Sequence, residues 1–151
     1  MSYWRMQLHP AEPSKATYFA AESLAAGFIG LDFAKSVGDL TDIKKDDLEK
    51  GKQDYLAFQS EMLPDDQVLI IVHHYPFALV KVKGAYNYIR TPDRRIGVWF
   101  RHFREITDVR YYADYVNNPK DWEKLIMTDA ISVLKNAKSK SYQLIKRWLT
   151  A

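Results

Sequence analysis

This chain of 151 residues lacks cysteine altogether. The absence excludes disulfides, thiolate metal ligands and cysteine nucleophiles, and it suits an intracellular protein. Long apolar runs are missing too, since the longest one, from Val68 to Val72, falls far below the roughly 20 residues of a membrane span. The first residues contain no apolar signal-peptide segment. We therefore expect a cytoplasmic protein that does not contact membranes.

The motifs of common enzyme classes are also missing. The chain has no GxxxxGKS/T phosphate loop, no GxGxxG turn, no HExxH zinc helix and no GxSxG nucleophile turn. Of its four histidines, only His73 and His74 are neighbours. Adjacent residues of a strand point to opposite faces, which argues against a metal shared by this pair. We predict a binding module without catalytic residues, metal or cofactor.

A metal-dependent nuclease with an unrecognised motif stays open as an alternative. Such a site needs two acidic ligands and a lysine near a strand end. Asp65 or Asp66 supplies a first carboxylate. The strand that carries Lys81 and Lys83 has Val82 between them, where the second acidic ligand would stand. The nuclease is therefore the weaker interpretation.

What the chain does contain favours a folded domain. Hydrophobic residues make up 47% of it and aromatic residues 14%, which is enough for a core, and the net charge of +3 permits an anionic partner. Alternation and helical periodicity predict strands over 3–8, 28–33, 67–72, 77–83, 86–89 and 96–106. The predicted helices cover 15–26, 42–62 (broken or started near Gly51), 109–116, 120–137 and 139–151. This order favours an α/β (α+β) domain with a small sheet curled into a barrel, flanked by helices and followed by a C-terminal helical segment.

Four segments, in order along the chain, resemble one family. Residues 3–10 (YWRMQLHP) resemble the first strand of EVE domains, and residues 27–41, with GFIGLDF and VGDLT, are similar to the IGWD…GDL stretch of McrB-type restriction proteins. Residues 67–88 resemble the strand ribbon of the same group, and residues 101–106 (RHFREI) its closing strand. Leu31 stands where the family often has tryptophan. The resemblance covers about residues 3–112.

The resemblance implies the PUA-like fold of EVE and YTH domains, in which a modified base is flipped out and held between aromatic side chains. It implies a base-reading domain over 1–116 and a C-terminal helical extension or linker over 117–151. The expected ligand is methylated double-stranded DNA, with N6-methyladenine as the base, and the protein would be the recognition domain of a McrB-type restriction system. A GTPase translocase and a nuclease subunit would then be fused or separate partners.

Aromatic residues are the first requirement of a base pocket, because an extruded base needs stacking planes. Tyr86 and Tyr88 are the best candidates for the walls: they lie two apart on a strand and so share a face, with Asn87 pointing away. Phe28 and Ile29 lie where YTH domains place one cage tryptophan, so the resemblance adds them to the pocket.

A base pocket also needs polar residues that recognise the edge of the base by hydrogen bonds. Asp32 has two open interpretations: its carboxylate accepts a hydrogen bond from an exocyclic N–H, or it caps the turn at residues 36–38. Gln7 and His9 lie near the positions where the YTH family contacts ring nitrogens, and the resemblance includes them in the pocket.

Cations beside the pocket would contact phosphates and fix the register of the nucleic acid. Arg90, Arg94 and Arg95 cluster within six residues on a loop, and Lys81 and Lys83 point to one face of the neighbouring strand. We expect these five residues to bind phosphate.

Two further interpretations stay open. EVE, YTH and PUA-like domains also serve RNA, so the ligand is alternatively an RNA with a modified nucleotide. A protein-interaction module is the other alternative, with the predicted amphipathic helix 120–137 as its contact surface.

Overall fold

The computed structural model describes residues 1–8, 13–33, 35–96 and 98–151. Within this part, β-strands and α-helices are joined by loops and short 3-10 turns. The strands are β1 (Tyr3–Gln7), β2 (Phe28–Leu31), β3 (Gln67–Val72), β4 (Tyr75–Val82), β5 (Asn87–Tyr88), β6 (His102–Tyr111) and β7 (Ile131–Val133). The helices are α1 (Ala16–Ala26), α2 (Leu56–Ser60), α3 (Tyr112–Tyr115) and α4 (Lys140–Thr150). The chain is therefore a mixed α+β domain, as the element order predicts.

The described strands form one curled sheet, a half-barrel. Their order is β2-β6-β4-β3-β1-β7, and β1 and β3 run parallel while the other pairs are antiparallel. Strand β5 pairs with the first residues of β6, and β2 pairs with the same residues from the other side. Strand β4 pairs with the later residues of β6, so β5 and β4 lie end to end on one side of it. Strands β4 and β5 thus pair in succession with one side of β6 and form a ribbon with it.

Two hydrophobic cores lie on the two faces of the sheet, and β3 supplies both. Val68 and Ile70 belong to the larger core, together with helix α1. Leu69 and Ile71 belong to a second core that includes residues of α3 and α4. Because successive strand residues point to opposite faces, a strand between two cores must be apolar throughout, which explains the uninterrupted apolar run of β3.

Arg104 of β6 is buried inside the half-barrel and has a structural role. Its guanidinium donates hydrogen bonds to the backbone carbonyls of Phe58, Gln59, Met62 and Gly84 over 2.7–3.2 Å. Burial lowers the pKa of Arg104. Since a buried cation is costly unless its donors are satisfied, these carbonyls tie α2 and the following turn to the sheet.

The helix predicted over 42–62, broken or started near Gly51, is absent from most of that range, although the break at Gly51 is present. Three 3-10 turns, at Leu40–Asp42, Lys45–Asp47 and Gln53–Tyr55, precede the five-residue helix α2. Gly51 lies between them with φ of +94°, a left-handed conformation that interrupts any continuous helix.

The predicted strand 96–106 is displaced along the chain. Strand β6 begins at His102 and runs to Tyr111, through the start of the helix predicted from Val109. The apolar residues before it pack over the sheet instead of within it: Phe100 covers Gly30, where an added Cβ would lie 2.6 Å from the ring of Phe100.

The predicted helix 120–137 is also wrong. Within the range lie a short 3-10 turn, a segment without regular secondary structure and strand β7, which pairs with β1. Tertiary hydrogen bonds replace helical ones: the N–H of Leu125 donates to the carbonyl of His74 at 2.6 Å, and that of Met127 donates to its Nδ1 at 3.2 Å. The protein-interaction alternative loses the helix on which it was based.

The last predicted helix is confirmed, since α4 spans Lys140–Thr150. Its N-cap is Ser139, whose side chain accepts a hydrogen bond from the N–H of Tyr142. Among the helices of the described residues, none has the length and apolar character that crossing a membrane requires.

Candidate nucleic-acid interface

Tyr86 and Tyr88 converge on His102, inside the curl of the sheet. Tyr88 of β5 is the pairing partner of His102 in β6, and their ring centroids lie 5.3 Å apart. The ring of Tyr86 lies 6.0 Å from His102 at an interplanar angle of 21°, and Phe33 approaches the same imidazole edge-on at 5.4 Å. Asn87 is exposed. The two tyrosines therefore share a face, as their spacing predicts. We call Phe33, Tyr86, Tyr88 and His102 the inner cluster.

A chain of hydrogen bonds defines the protonation of the inner cluster. The N–H of Leu40 donates to Tyr86 Oη at 3.0 Å, and Tyr86 Oη lies 2.7 Å from His102 Nδ1. Because the phenol already accepts from Leu40, its single proton is best used toward Nδ1, which then acts as an acceptor. We assign the proton of the neutral imidazole to Nε2 on this basis.

His102 Nε2 is a buried polar atom without a hydrogen-bond partner among the described residues. The side chain is 0% exposed, and burial lowers the pKa of His102 to about 4, against the opposing attraction of Asp32 and Asp39. At neutral pH the ring is therefore uncharged. An unsatisfied buried N–H costs ~1–3 kcal/mol, so a ligand acceptor at this position would gain that energy.

Tyr86 keeps its proton under the same conditions. Burial raises the pKa of Tyr86 to about 12, although the hydrogen bond from Leu40 opposes the shift. The inner cluster is thus neutral at pH 7. It combines aromatic rings with one donor, His102 Nε2–H, that has no partner among the described residues. These groups would complement an uncharged ring with an acceptor atom on its edge.

Asp32 lies beside the inner cluster and holds Arg101. Its Oδ1 accepts from the Arg101 guanidinium and from the backbone N–H of Phe33, both at 2.9 Å. The carboxylate is therefore already occupied by hydrogen bonds from Phe33, its neighbour in the chain, and from Arg101, which precedes β6. A base donor would have to share it with Arg101. Among the described residues, neither oxygen of Asp32 bonds to the turn at 36–38.

Phe28 and Ile29 do not join the two tyrosines at one surface. Phe28 pairs opposite Glu105 and lies on the outer face, where it packs edge-to-face on Phe103 at 5.6 Å. Ile29 pairs opposite Arg104 on the inner face but is completely buried. Of the predicted aromatic walls, the structure brings together Tyr86 and Tyr88 alone.

Gln7 belongs to another part of the sheet. Its side-chain amide donates to the carbonyls of Met127 at 3.1 Å and Asp129 at 2.8 Å, and thus fixes the segment before β7. Strands β3, β4 and β6 separate β1 from β5 in the sheet order. The predicted contact at His9 lies outside the described residues.

Most of the predicted phosphate-binding residues have acidic partners. Lys81 pairs with Asp65 at 3.7 Å, Lys83 with Glu105 at 3.2 Å, and Arg95 with Asp93 at 3.0 Å. Such exposed pairs contribute ~0–1 kcal/mol, so a phosphate can compete for each cation.

The remaining two predicted cations lie on the same loop as Arg95. Arg90 is exposed. The side chain of Arg94 falls outside what the structure describes, so the prediction for Arg94 stays a prediction.

A second basic surface escaped the sequence prediction. The last 22 residues contain five of the 22 cationic residues and none of the 19 acidic ones, so the rest of the chain is net negative. All five are exposed, and in the described part only Lys140 has an ion pair, with Glu123 at 2.8 Å. They are Lys135, Lys138, Lys140, Lys146 and Arg147. The charge asymmetry along the chain is the signal that could have found this C-terminal basic segment.

Comparison with known proteins adds no assignment: no family model matches the chain, and no curated protein does. Within the described ranges, no three acidic or histidine side chains come together in a way that could hold a metal ion.

Proposed function

We propose that this protein is a non-catalytic nucleic-acid-binding module that holds one extruded base against Tyr88, in an opened inner cluster that exposes His102 Nε2, an atom completely buried in this structure. The base is N6-methyladenine in duplex DNA, and the module serves as the recognition domain of a McrB-type restriction system. Translocation and cleavage belong, on this proposal, to a GTPase and a nuclease outside this chain.

The unsatisfied Nε2–H of His102 carries the proposal. A ring nitrogen or carbonyl oxygen of a base is an acceptor that would satisfy it, and the surrounding rings offer stacking surfaces. Stacking is worth ~1–3 kcal/mol per base, which offsets the few kcal/mol of extrusion. The neutral state of His102 and Tyr86 supports an uncharged ligand in preference to a phosphate or a carboxylate.

The fold supports the proposal in a coarser way. A curled half-barrel with flanking helices is compatible with the PUA-like fold that the sequence resemblance implies. Leu31, which replaces the family's tryptophan, lies opposite His102 in the strand pairing of β2 with β6. The base therefore relies on Tyr86 and Tyr88 for aromatic contact in this chain.

A binding panel tests the proposal. Full-length protein is titrated with matched duplexes that carry N6-methyladenine, 5-methylcytosine or no modification, and with the matching RNA. One buried methyl group contributes ~0.8 kcal/mol, so we expect N6-methyladenine to improve affinity about fourfold over the unmodified duplex. Equal affinity across the panel would contradict a base reader, and tighter binding of modified RNA would move the proposal to RNA.

The variant Tyr88→Ala locates the pocket. We expect it to weaken binding of the methylated duplex by ~1–3 kcal/mol, the value of one stacking contact, and to remove the methyl preference. Tyr88→Phe is the matched control, because it keeps the ring and should bind as the wild type does. Normal discrimination by Tyr88→Ala would place the pocket elsewhere.

A further inference from the structure

A second aromatic site lies at the opposite end of the β4–β6 ribbon, outside the inner cluster. It is a cavity of about 330 Å³ beside the β3–β4 hairpin, close to the start of α3. Its size is at the lower end of the range for small-molecule pockets, which corresponds to a ligand of one ring system. The residues that line it include Thr17, His73, Tyr75, Phe77, Tyr112 and Trp122. We call it the hairpin cavity.

Aromatic side chains form the walls of the hairpin cavity in two pairs. Phe77 packs edge-to-face on Tyr111 with centroids 5.5 Å apart, and Tyr112 packs in the same way on Trp122 at 5.8 Å. Tyr75 and Trp122 remain 39% and 44% exposed. Two large rings left in water beside a cavity are a feature of binding sites, because burying them against a ligand is favourable.

The hairpin cavity is electrically neutral apart from one histidine. Among the described residues that line it there is no lysine, arginine, aspartate or glutamate. Its polar groups are hydroxyls, such as that of Thr17, and the imidazole of His73. Phosphates, carboxylates and ammonium groups would find no counter-charge in it. The surface of the lining is almost wholly apolar, so it matches the face of a flat, uncharged ring whose hydrogen-bonding edge stays toward solvent.

The turn at the cavity is strained. His73 and His74 link β3 to β4 with φ values of +53° and +67°, where a two-residue hairpin turn prefers Asn-Gly. The hydrogen bonds that His74 accepts from Leu125 and Met127 explain its left-handed conformation. His73 is exposed and lines the cavity, and strained residues of this kind concentrate at ligand-binding sites.

A cation lies in the neighbouring cavity. Tyr112 also contributes to a second depression, whose lining includes Arg147 of the C-terminal basic segment, the acidic residue Asp121 and two asparagines, Asn117 and Asn118. A ring bound in the hairpin cavity would therefore have a basic group nearby for a phosphate attached to it.

From these observations we propose that the hairpin cavity binds an unpaired nucleobase, stacked on Trp122 and Tyr75, with its backbone phosphate directed to Arg147. The inference rests on the proposed function, since it gives the protein a second contact with a nucleic acid. It differs in mechanism: the inner cluster offers a buried donor, whereas the hairpin cavity offers exposed stacking surfaces.

The test uses adenosine and a short oligoadenylate as probes of the full-length protein. Binding is followed by quenching of tryptophan fluorescence and by NMR shifts of the cavity residues. We expect Trp122→Ala and Tyr75→Ala each to weaken oligoadenylate about 10-fold, by the loss of one stacking contact. Thermal unfolding of each variant verifies its fold, and Trp122→Phe, which keeps a ring, should bind within a few-fold of the wild type.

Two controls separate this site from the inner cluster. Tyr88→Ala should leave the adenosine-induced NMR shifts of the hairpin-cavity residues unchanged while it weakens the methylated duplex. Adenosine that shifts no cavity residue would overturn the inference, even if duplex binding still depends on Tyr88. Equal binding of N-acetyltryptophanamide would also overturn it, because the cavity would then accept an aromatic peptide side chain.

Discussion

The inner cluster and the hairpin cavity are built from similar residues but present them differently. In the inner cluster, His102 is fully buried, its rings are locked by hydrogen bonds from Leu40 and Tyr86, and one donor is left over. In the hairpin cavity, Tyr75 and Trp122 are open to solvent and the turn beside them is strained. A buried donor discriminates by the cost of leaving it unpaired, while exposed rings stack on any base. We therefore expect the inner cluster to determine which base is bound, and the hairpin cavity to add affinity for any base.

The largest expected effect concerns the pH dependence of stability. The pKa of His102 is lowered to about 4 by burial, whereas the unfolded chain titrates near 6.5. Between these values the unfolded state binds more protons, so stability is complete above pH 6.5 and falls as the pH decreases toward 4. The loss attributable to His102 is about 3 kcal/mol.

Urea unfolding at several pH values measures this loss. His102→Gln serves as the control, since other groups titrate in the same window and the variant keeps them. The difference in slope between wild type and variant isolates the histidine. Identical slopes would show that His102 is accessible to protons in the folded state, and the inner cluster would no longer differ from the hairpin cavity.

Removal of a single hydroxyl from each site sharpens the comparison. Tyr86→Phe leaves the N–H of Leu40 and Nδ1 of His102 without a partner, and we expect it to reduce the free energy of unfolding by ~1–3 kcal/mol. Tyr75→Phe removes a hydroxyl from an exposed ring and should change stability by less than about 0.5 kcal/mol. Chemical denaturation measures both, and similar losses in the two variants would refute the contrast.

The smallest expected effect is on the salt dependence of binding. Replacing both Lys146 and Arg147 by Gln should lower the magnitude of the slope of log K against log salt by about 2, because each lost phosphate contact removes ~0.9. Replacing Arg90 and Arg95 by Gln should lower it by about 1, since Asp93 already neutralises Arg95. A larger change for the variant of Arg90 and Arg95 than for the variant of Lys146 and Arg147 would show that the duplex binds at the loop of Arg90 and Arg95. The hairpin cavity would then not contact the nucleic acid.

Local patterns were sufficient for much of the fold and for part of the candidate site. Strand β3 follows from its apolar run, helix α1 from its helix formers, and helix α4 from the helical spacing of its apolar residues. The shared face of Tyr86 and Tyr88 follows from the two-residue period of a strand. Each of these features depends on residues close together in the sequence.

Features that depend on distant residues were not predictable in this way. The inward positions of β6 include His102 and Arg104, two polar side chains that an apolar-inside pattern assigns to solvent. Their burial requires backbone carbonyls of α2 and the ring of Tyr86, which other segments supply. Residues 122–130 likewise have helical spacing, but hydrogen bonds from Gln7 and to His74 hold them in a non-helical conformation.

The hydrogen bond from His102 Nε2–H to the bound base is the central claim, and imidazole ¹⁵N and ¹H NMR of histidine-labelled protein tests it most directly. In the free protein we expect a neutral ring with its proton on Nε2. Addition of the duplex with N6-methyladenine should move that proton downfield, and Tyr88→Ala should abolish the shift. An imidazole signal that stays unchanged while the methylated duplex binds would contradict the account.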